Sequence, residues 1–250
     1  MSNGENRLTL LSHFQELRKR LIRSVIAVAI GAMVSFVFYE WIFYILILPA
    51  QGIPLIFIEL TEMIGTVMRV CLTSGLILAM PYLTLQGILF LSPALTDREK
   101  RYVYIIFPWI ALMFLGGIVF GYFILVPPAI QFLLTFGSDI ATPQIKIGNY
   151  IAIITRLLIA IGLVFELPVV TTFLARIGIV KAKWLADKRK MAIIVAFILA
   201  AIITPTFDPI NQSLVAVPLI ILYEASIWLA RLFQRKEPAL TEEPTVEELP

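Results

Sequence analysis

Six long apolar segments, separated by short polar ones, dominate the sequence. Their hydrophobic residues run continuously and do not alternate with polar ones, which favours helices over the strands of a barrel. About 20 apolar residues in a helix cross about 30 Å of hydrocarbon. The pattern therefore predicts an all-α fold with six transmembrane helices over residues 24–48, 66–91, 102–126, 150–175, 191–204 and 213–230.

The last two predicted helices are short. Residues 191–204 form about 21 Å of helix, and the sixth segment is continuously apolar only from Ser213 to Tyr223. Either the two form a re-entrant hairpin or the bilayer thins around them. We favour thinning, because mismatch costs only fractions of a kcal/mol per Å and the basic residues that follow belong on the cytoplasmic side.

Composition supports a membrane protein. Of the 250 residues, 60% are hydrophobic and 15% are charged, against about 45–50% and about 25% in soluble domains. Cys71 and His13 are the only residues of their types, which excludes a disulfide scaffold and a closed zinc site. The chain also lacks a G-x-x-x-x-G-K-[ST] phosphate loop. We therefore expect no enzyme, no metal and no cofactor.

The lysines and arginines indicate the orientation. In the six-helix arrangement, all of the 20 basic residues except Arg69, Lys146 and Arg156 lie on one side. The positive-inside rule places that side, and with it both termini, in the cytoplasm. The net charge of +3 therefore indicates topology and gives no reason to expect nucleic acid as a partner.

The chain divides into a membrane domain and a tail. Residues 1–235 are predicted to form the six-helix domain, which begins with an amphipathic helix whose apolar stripe contains Leu10, Phe14, Leu17 and Leu21. Residues 236–250 are rich in glutamate and proline and poor in apolar residues. This segment is predicted to be a disordered acidic cytoplasmic tail.

Charged residues also interrupt the apolar segments. Glu166 lies ten residues before Arg176, about 15 Å from the cytoplasmic end. A carboxyl at that depth should face the bundle, either as a functional site or as a protonated group bonded to a neighbouring helix. Glu224 lies nearer the interface, and a structural role is favoured. Arg69 and Arg156 are expected to snorkel or to meet Glu59 or Glu62.

Few acids occur on the predicted cytoplasmic face. Glu16 lies four residues before Arg20, a helical spacing that allows an ion pair. Glu99 belongs to a Thr96-x-x-Glu99 capping box, so helix capping accounts for it on spacing alone. Carboxylates among so many basic residues can nevertheless select a cationic ligand, and arginine is preferred for its bidentate fork.

Several motifs, in order along the chain, resemble the TatC family, the multispanning subunit of the twin-arginine protein translocase. They are His13–Leu21, Pro81-Tyr82 with Gln86, Phe90–Leu95 followed by Glu99, Phe165–Pro168, Thr204-Pro205 with Asp208 and Gln212, and Pro218 through Tyr223-Glu224. The departures are Phe14 where leucine is usual, Thr96-Asp97-Arg98 in place of a Tyr-x-His run, and the extra acidic tail.

The resemblance implies a receptor in a bacterial or archaeal cytoplasmic membrane. It would bind signal peptides with consecutive arginines and, with single-span TatA and TatB partners, support export of folded proteins driven by the proton gradient. Glu16 and Glu99 would bind the signal arginines, supported by Arg18, Phe90 and Leu95. An intramembrane polar cluster would contact the partners and consist of Glu166, Thr204 and Gln212. A homo-oligomer within the complex is also expected.

Two other classes stay open. A proton-coupled small-solute secondary transporter could use Glu166 as a proton relay. That hypothesis explains the buried acid but does not explain the acids near the cytoplasmic surface, and no second buried charge is evident for coupling. A structural scaffold without a ligand is the third possibility.

Overall fold

The computed structural model describes residues 2–50, 52, 54–90, 97–140, 143–204 and 208–234, with the backbone alone for 2–13 and 97–104. The predicted acidic tail, residues 236–250, lies outside them. The described chain is almost entirely helical, as predicted. Its helices are α1 (Ser2–Val37), α2 (Tyr39–Ile47), α3 (Glu62–Phe90), α4 (Asp97–Phe120), α5 (Val126–Thr135), α6 (Ile147–Phe165), α7 (Leu167–Arg176), α8 (Ala182–Asp187), α9 (Arg189–Ile203) and α10 (Pro209–Phe233).

Five helical segments of the described chain are long and apolar enough to cross a membrane. They are Phe14–Val37, Glu62–Phe90, Ile105–Thr135, Ile147–Arg176 and Pro209–Phe233. The remaining predicted span is α9, whose 15 residues make about 22 Å of helix. It is short, as predicted. Six crossings, and the placement of both termini in the cytoplasm, stay predictions.

The expectation of a short last helix is wrong. α10 has 25 residues, or about 37 Å. It begins before the apolar run because Asp208 caps it: a carboxylate oxygen accepts the Asn211 N–H at 2.9 Å, and Pro209 occupies the first turn. It then continues past Glu224, Ser226 and Arg231 to Phe233. Apolar content marked only the middle of this helix.

Three predicted spans are interrupted. The first breaks at Phe38, between α1 and α2. The fourth breaks at Glu166, between α6 and α7, because Pro168 supplies no N–H to the preceding turn. The third contains a π-turn at Gly121–Leu125, in which the Val126 N–H reaches back five residues to the Gly121 carbonyl. This wide turn precedes Pro127 and Pro128, whose missing N–H groups would leave carbonyls of a regular helix unbonded.

The helices α1 and α3 pack antiparallel through two glycines. A Cβ added to Gly31 would lie 2.6 Å from the Gly75 carbonyl oxygen, and one added to Gly75 would overlap the backbone of Ala32. The two backbones are therefore in direct contact. The predicted amphipathic segment continues into the first span as one helix, and Phe14, Leu17 and Leu21 of its apolar stripe are exposed.

The main core surrounds α6, where Ile151, Ile154, Leu157 and Ile161 are fully buried. Against it pack α2, α9 and α10. Gly117 and Gly121 bring α4 and the π-turn close to α6: a Cβ on Gly117 would lie 2.8 Å from the Cβ of Phe165. This G-x-x-x-G pair is therefore used for packing within the chain.

At the end of the bundle near α2, hydrogen bonds to backbone carbonyls connect neighbouring elements. Leu55–Ile56 and Ile145–Lys146 form a short parallel pair of strands. The hydroxyl of Tyr122 donates to the Ile45 carbonyl at 2.6 Å, where Pro49 cannot supply the usual helical N–H. Arg69 donates to the Gly148 carbonyl at 3.2 Å, and no ion pair of Arg69 with Glu59 or Glu62 occurs among the described residues. Arg156 is exposed.

Candidate functional site

The opposite end of the bundle gathers the basic segments, and we call it the basic end. The end of α3 and the length of α7 pack against the middle of α4 through buried side chains such as Ile88, Ile110 and Phe173. The end of α7 also packs against α8 and the end of α10. Because α1 and α3 are antiparallel, the part of α1 that carries Glu16 lies at the same end as the last turns of α3. α4 begins at Asp97, seven residues after α3 ends.

A network of three polar side chains joins α1 to α3 at the basic end. Arg20 Nε donates to Glu16 Oε1 at 3.0 Å, and its Nη2 forms an ion pair with the same oxygen. The predicted Glu16–Arg20 pair is thus confirmed. Arg20 Nη1 also donates to Gln86 Oε1 at 3.2 Å. Gln86 is only 5% exposed. Its motif was recognised in the sequence, but its contact with Arg20 was not predictable from spacing.

The helix register brings Phe90 level with Glu16. Gly31 faces Gly75 and Arg20 contacts Gln86, so eleven residues separate the two contacts on each helix. One further turn toward the basic end reaches Glu16 on α1 and Phe90 on α3, since residues four apart share a helix face. Phe90 is half-buried.

Of the other predicted signal-binding residues, Arg18 is the one whose backbone and side chain are both described. Arg18 is exposed on α1, two residues from Glu16, and so points to a different side of the helix. Glu99 lies in the first turn of α4, which begins at Asp97 as the capping box predicts, but its side chain lies outside the described residues. Leu95 lies outside them entirely.

Glu166 is buried at the junction of α6 and α7, with 2% of its surface exposed. Its Oε2 accepts a hydrogen bond from the Thr84 hydroxyl on α3. Among the described residues its Oε1 has no partner. The carboxyl does bond a neighbouring helix, but a buried oxygen without a donor is costly and uncommon. Thr84 was not predicted, because threonine in an apolar helix gives no distinct signal.

Thr204 and Gln212 lie where α9 meets α10. The Thr204 hydroxyl donates to the Ala200 carbonyl at 2.8 Å, within its own helix. Gln212 Nε2 donates to the Phe197 carbonyl of α9 at 2.9 Å. The described hydrogen bonds of Gln212 and Glu166 therefore go to different helices and do not join the two side chains.

An open apolar groove of about 580 Å³ runs along α9 beside Gln212. Its walls include Ile194, Phe197, Ile198 and Ile202, and Gln212 is its polar member. Below it, Arg189 holds Glu224 with two bonds: Nε lies 2.7 Å from Oε1 and Nη2 lies 2.8 Å from Oε2. Glu224 is thus paired with Arg189 of α9, and its structural role stays a prediction.

A bundle of membrane-length helices with a carboxylate network at one end and a buried glutamate inside defines a polytopic helical membrane protein. A family model described as "Sec-independent protein translocase protein (TatC)" matches residues 12–218. The chain belongs to the TatC family, which confirms the resemblance seen in the motifs.

Individual relatives agree over nearly the whole length. The TatC protein of Carboxydothermus hydrogenoformans is 41% identical over 92% of this chain and 96% of its own. The TatC protein of Aquifex aeolicus is 38% identical over 92% of this chain and 98% of its own. A crystal structure titled twin arginine translocase receptor TatC is 38% identical, with a TM-score of 0.77 over 89% of this chain and 100% of that one.

Proposed function

We propose that this chain is the receptor subunit of a twin-arginine translocase and binds Arg-Arg signal peptides at its basic end. The observation that carries the proposal is the Glu16 carboxylate, which already holds one guanidinium, that of Arg20. Family membership and the crystal structures titled as twin-arginine receptors support it.

Two carboxylates suit two consecutive arginines. Glu16 and Glu99 are the proposed partners of the signal arginines, because each carboxylate can take one guanidinium fork. Phe90, level with Glu16, is proposed to supply apolar surface beside Glu16. The resemblance also assigns Leu95 and Arg18 to signal binding, with Arg18 on a different side of α1. The Glu16 side chain is 31% exposed, so a bound guanidinium would be partly desolvated.

That environment sets the expected strength of binding. An exposed ion pair contributes about 0–1 kcal/mol, whereas removing one partner of a buried pair costs about 3–5 kcal/mol. We propose that Glu99 lies nearer the second limit, because six residues separate the end of α3 at Phe90 from the start of α4 at Asp97.

Glu166, Thr204 and Gln212 are proposed to form the polar contact for single-span partners of the TatA and TatB type. The Oε1 of Glu166 has no partner among the described residues but is buried, and Gln212 places an amide in an otherwise apolar groove that Glu166 does not line. A partner helix with one polar residue would fit such a groove. Interhelical hydrogen bonds in membranes average about 0.6 kcal/mol, which suits reversible recruitment.

The remaining parts of the proposal follow from the family. The chain is placed in a bacterial or archaeal cytoplasmic membrane among lipids, with both termini in the cytoplasm. It acts as a homo-oligomer within the complex, without a cofactor or nucleic acid. It supports proton-gradient-driven export of folded proteins as a receptor and not as an enzyme.

The test is photocrosslinking from position 99 to a synthetic Arg-Arg signal peptide, with a Lys-Lys peptide as the control. Binding affinity is measured in parallel for E16Q and E99Q, and E224Q serves as the matched variant because its carboxylate is held by Arg189. We expect crosslinks with Arg-Arg alone and weaker binding by the first two variants. Equal crosslinking of Lys-Lys, or wild-type affinity in both E16Q and E99Q, would contradict the proposal.

The alternative is a proton-coupled small-solute transporter, and the uncompensated Oε1 of Glu166 is the observation that favours it. Solute uptake into proteoliposomes of the isolated chain separates the two. Uptake that responds to an imposed pH gradient and is lost in E166Q would support transport, whereas peptide binding without uptake supports the receptor.

A further inference from the structure

The Arg20 side chain is mostly buried and is held by hydrogen bonds to two helices. It is 16% exposed and divides its donors between two acceptors on different helices. Nε and Nη2 face Glu16 on its own helix, and Nη1 faces Gln86 on α3. Gln86 is itself buried, so the guanidinium is anchored to the interior of the bundle.

The contact between Arg20 and Glu16 uses only one of the two carboxylate oxygens. Both bonds from Arg20 end on Oε1, and no described residue donates to Oε2. A carboxylate offers about four acceptor positions over its two oxygens. The carboxylate is therefore fixed through Oε1, while Oε2, which has no donor among the described residues, can accept from a second guanidinium.

We infer that Arg20 and Gln86 are positioning residues for signal-peptide recognition. Gln86 fixes Arg20, and Arg20 fixes Glu16 in the orientation that receives an arginine of the signal peptide. The inference rests on the proposed role of Glu16. Glutamate loses side-chain freedom when it is bound, and ordering one such side chain in advance improves affinity by about threefold to tenfold.

The sign of the effect distinguishes positioning from charge. Arg20 has the same charge as the incoming arginine, so a site governed by charge alone would bind more tightly after Arg20 is removed. A positioning role predicts weaker binding. Lysine would keep the charge, but its single ammonium lacks the rigid fork that reaches Glu16 and Gln86 together.

The experiment titrates a fluorescent Arg-Arg signal peptide into the full chain in nanodiscs. The variants are R20Q, R20K and Q86L, each alone and combined with E16Q. R23Q is the matched control, because Arg23 is exposed one turn further along α1. We expect R20Q and Q86L to weaken binding about threefold to tenfold, R20K to weaken it less, and R23Q to leave it unchanged.

The double variants decide whether the effect passes through Glu16. If Arg20 and Gln86 act by holding Glu16, neither substitution weakens binding further once E16Q is present. An equal loss in the E16Q background would assign both residues to general α1–α3 packing and overturn the inference, as would tighter binding by R20Q. An unchanged affinity in E16Q alone would instead refute the proposed function of Glu16. If Q86L fails to fold, R20K and R20Q carry the same comparison.

Discussion

The hydroxyl of Thr84 on α3 donates a hydrogen bond to a carboxyl oxygen of Glu166, which interrupts the helical segment formed by α6 and α7. Among the described residues, it is the hydrogen bond through which the Glu166 side chain contacts another helix. Gln86 lies two residues beyond Thr84, so one short stretch of α3 supports both the buried glutamate and the Arg20 network.

Replacing Thr84 with valine should destabilise the protein. The change keeps the shape of the side chain but leaves both carboxyl oxygens of Glu166 without a donor among the described residues. We expect a loss of about 1–3 kcal/mol, measured by unfolding in detergent. T84S keeps the hydroxyl and is the control. Equal stability of T84V and the wild type would show that the bond contributes nothing.

E166A should weaken assembly with single-span partners. The substitution removes the Oε1 that the proposal assigns to the partner contact, together with the Oε2 that accepts from Thr84. From the known range of about 0.6–2 kcal/mol for interhelical hydrogen bonds, partner affinity should fall about threefold to thirtyfold. Co-purification of the partners and export of a reporter protein measure the effect. E166Q keeps one acceptor and should lose less, and normal assembly and export by E166A would remove Glu166 from the contact.

G75A should separate α1 from α3. A methyl group at this position overlaps the backbone of Ala32, and overpacking of this kind costs about 1–3 kcal/mol. G65A, on the same helix, is the matched control because its Cβ meets no atom within 4 Å. Thermal unfolding should show a lower midpoint for G75A and no loss for G65A.

Lengthening α9 by four leucines should impair export. The insertion adds about 6 Å to a helix of about 22 Å and removes its mismatch with the hydrocarbon. If local thinning of the bilayer lowers the barrier to passage, transport falls while signal-peptide binding, measured on the same variant, is unchanged. Full export by the lengthened chain would rule out a role for the short helix.

E224Q should change stability only slightly. The Arg189–Glu224 pair is bidentate, but its side chains are 48% and 45% exposed, so solvent screening limits its contribution to about 0–1 kcal/mol. Unfolding and export assays should both stay close to wild type. A loss of export would mean that the ion pair between α9 and α10 does more than stabilise the packing of these two helices.

The family and the helical class could be predicted from the sequence, because both depend on patterns of residues that are close to one another along the chain. Continuous apolar runs specify membrane helices, and the motifs around Glu16 and Glu166 occur in a fixed sequence along them. The spacing of Glu16 and Arg20 sufficed to predict their pair, since four residues make one helical turn. The short α9 was also predictable from its apolar length.

The extent of α10 and the break at Glu166 depended on capping and on proline, which the apolar content of a segment does not reveal. Three relationships came only from the tertiary structure: the backbone contact of Gly31 with Gly75, the anchoring of Arg20 by Gln86, and the bond from Thr84 to Glu166. Each joins residues from separate helices. Periodicity determines which face a residue occupies, but the register between two helices is decided by how closely their side chains allow them to approach.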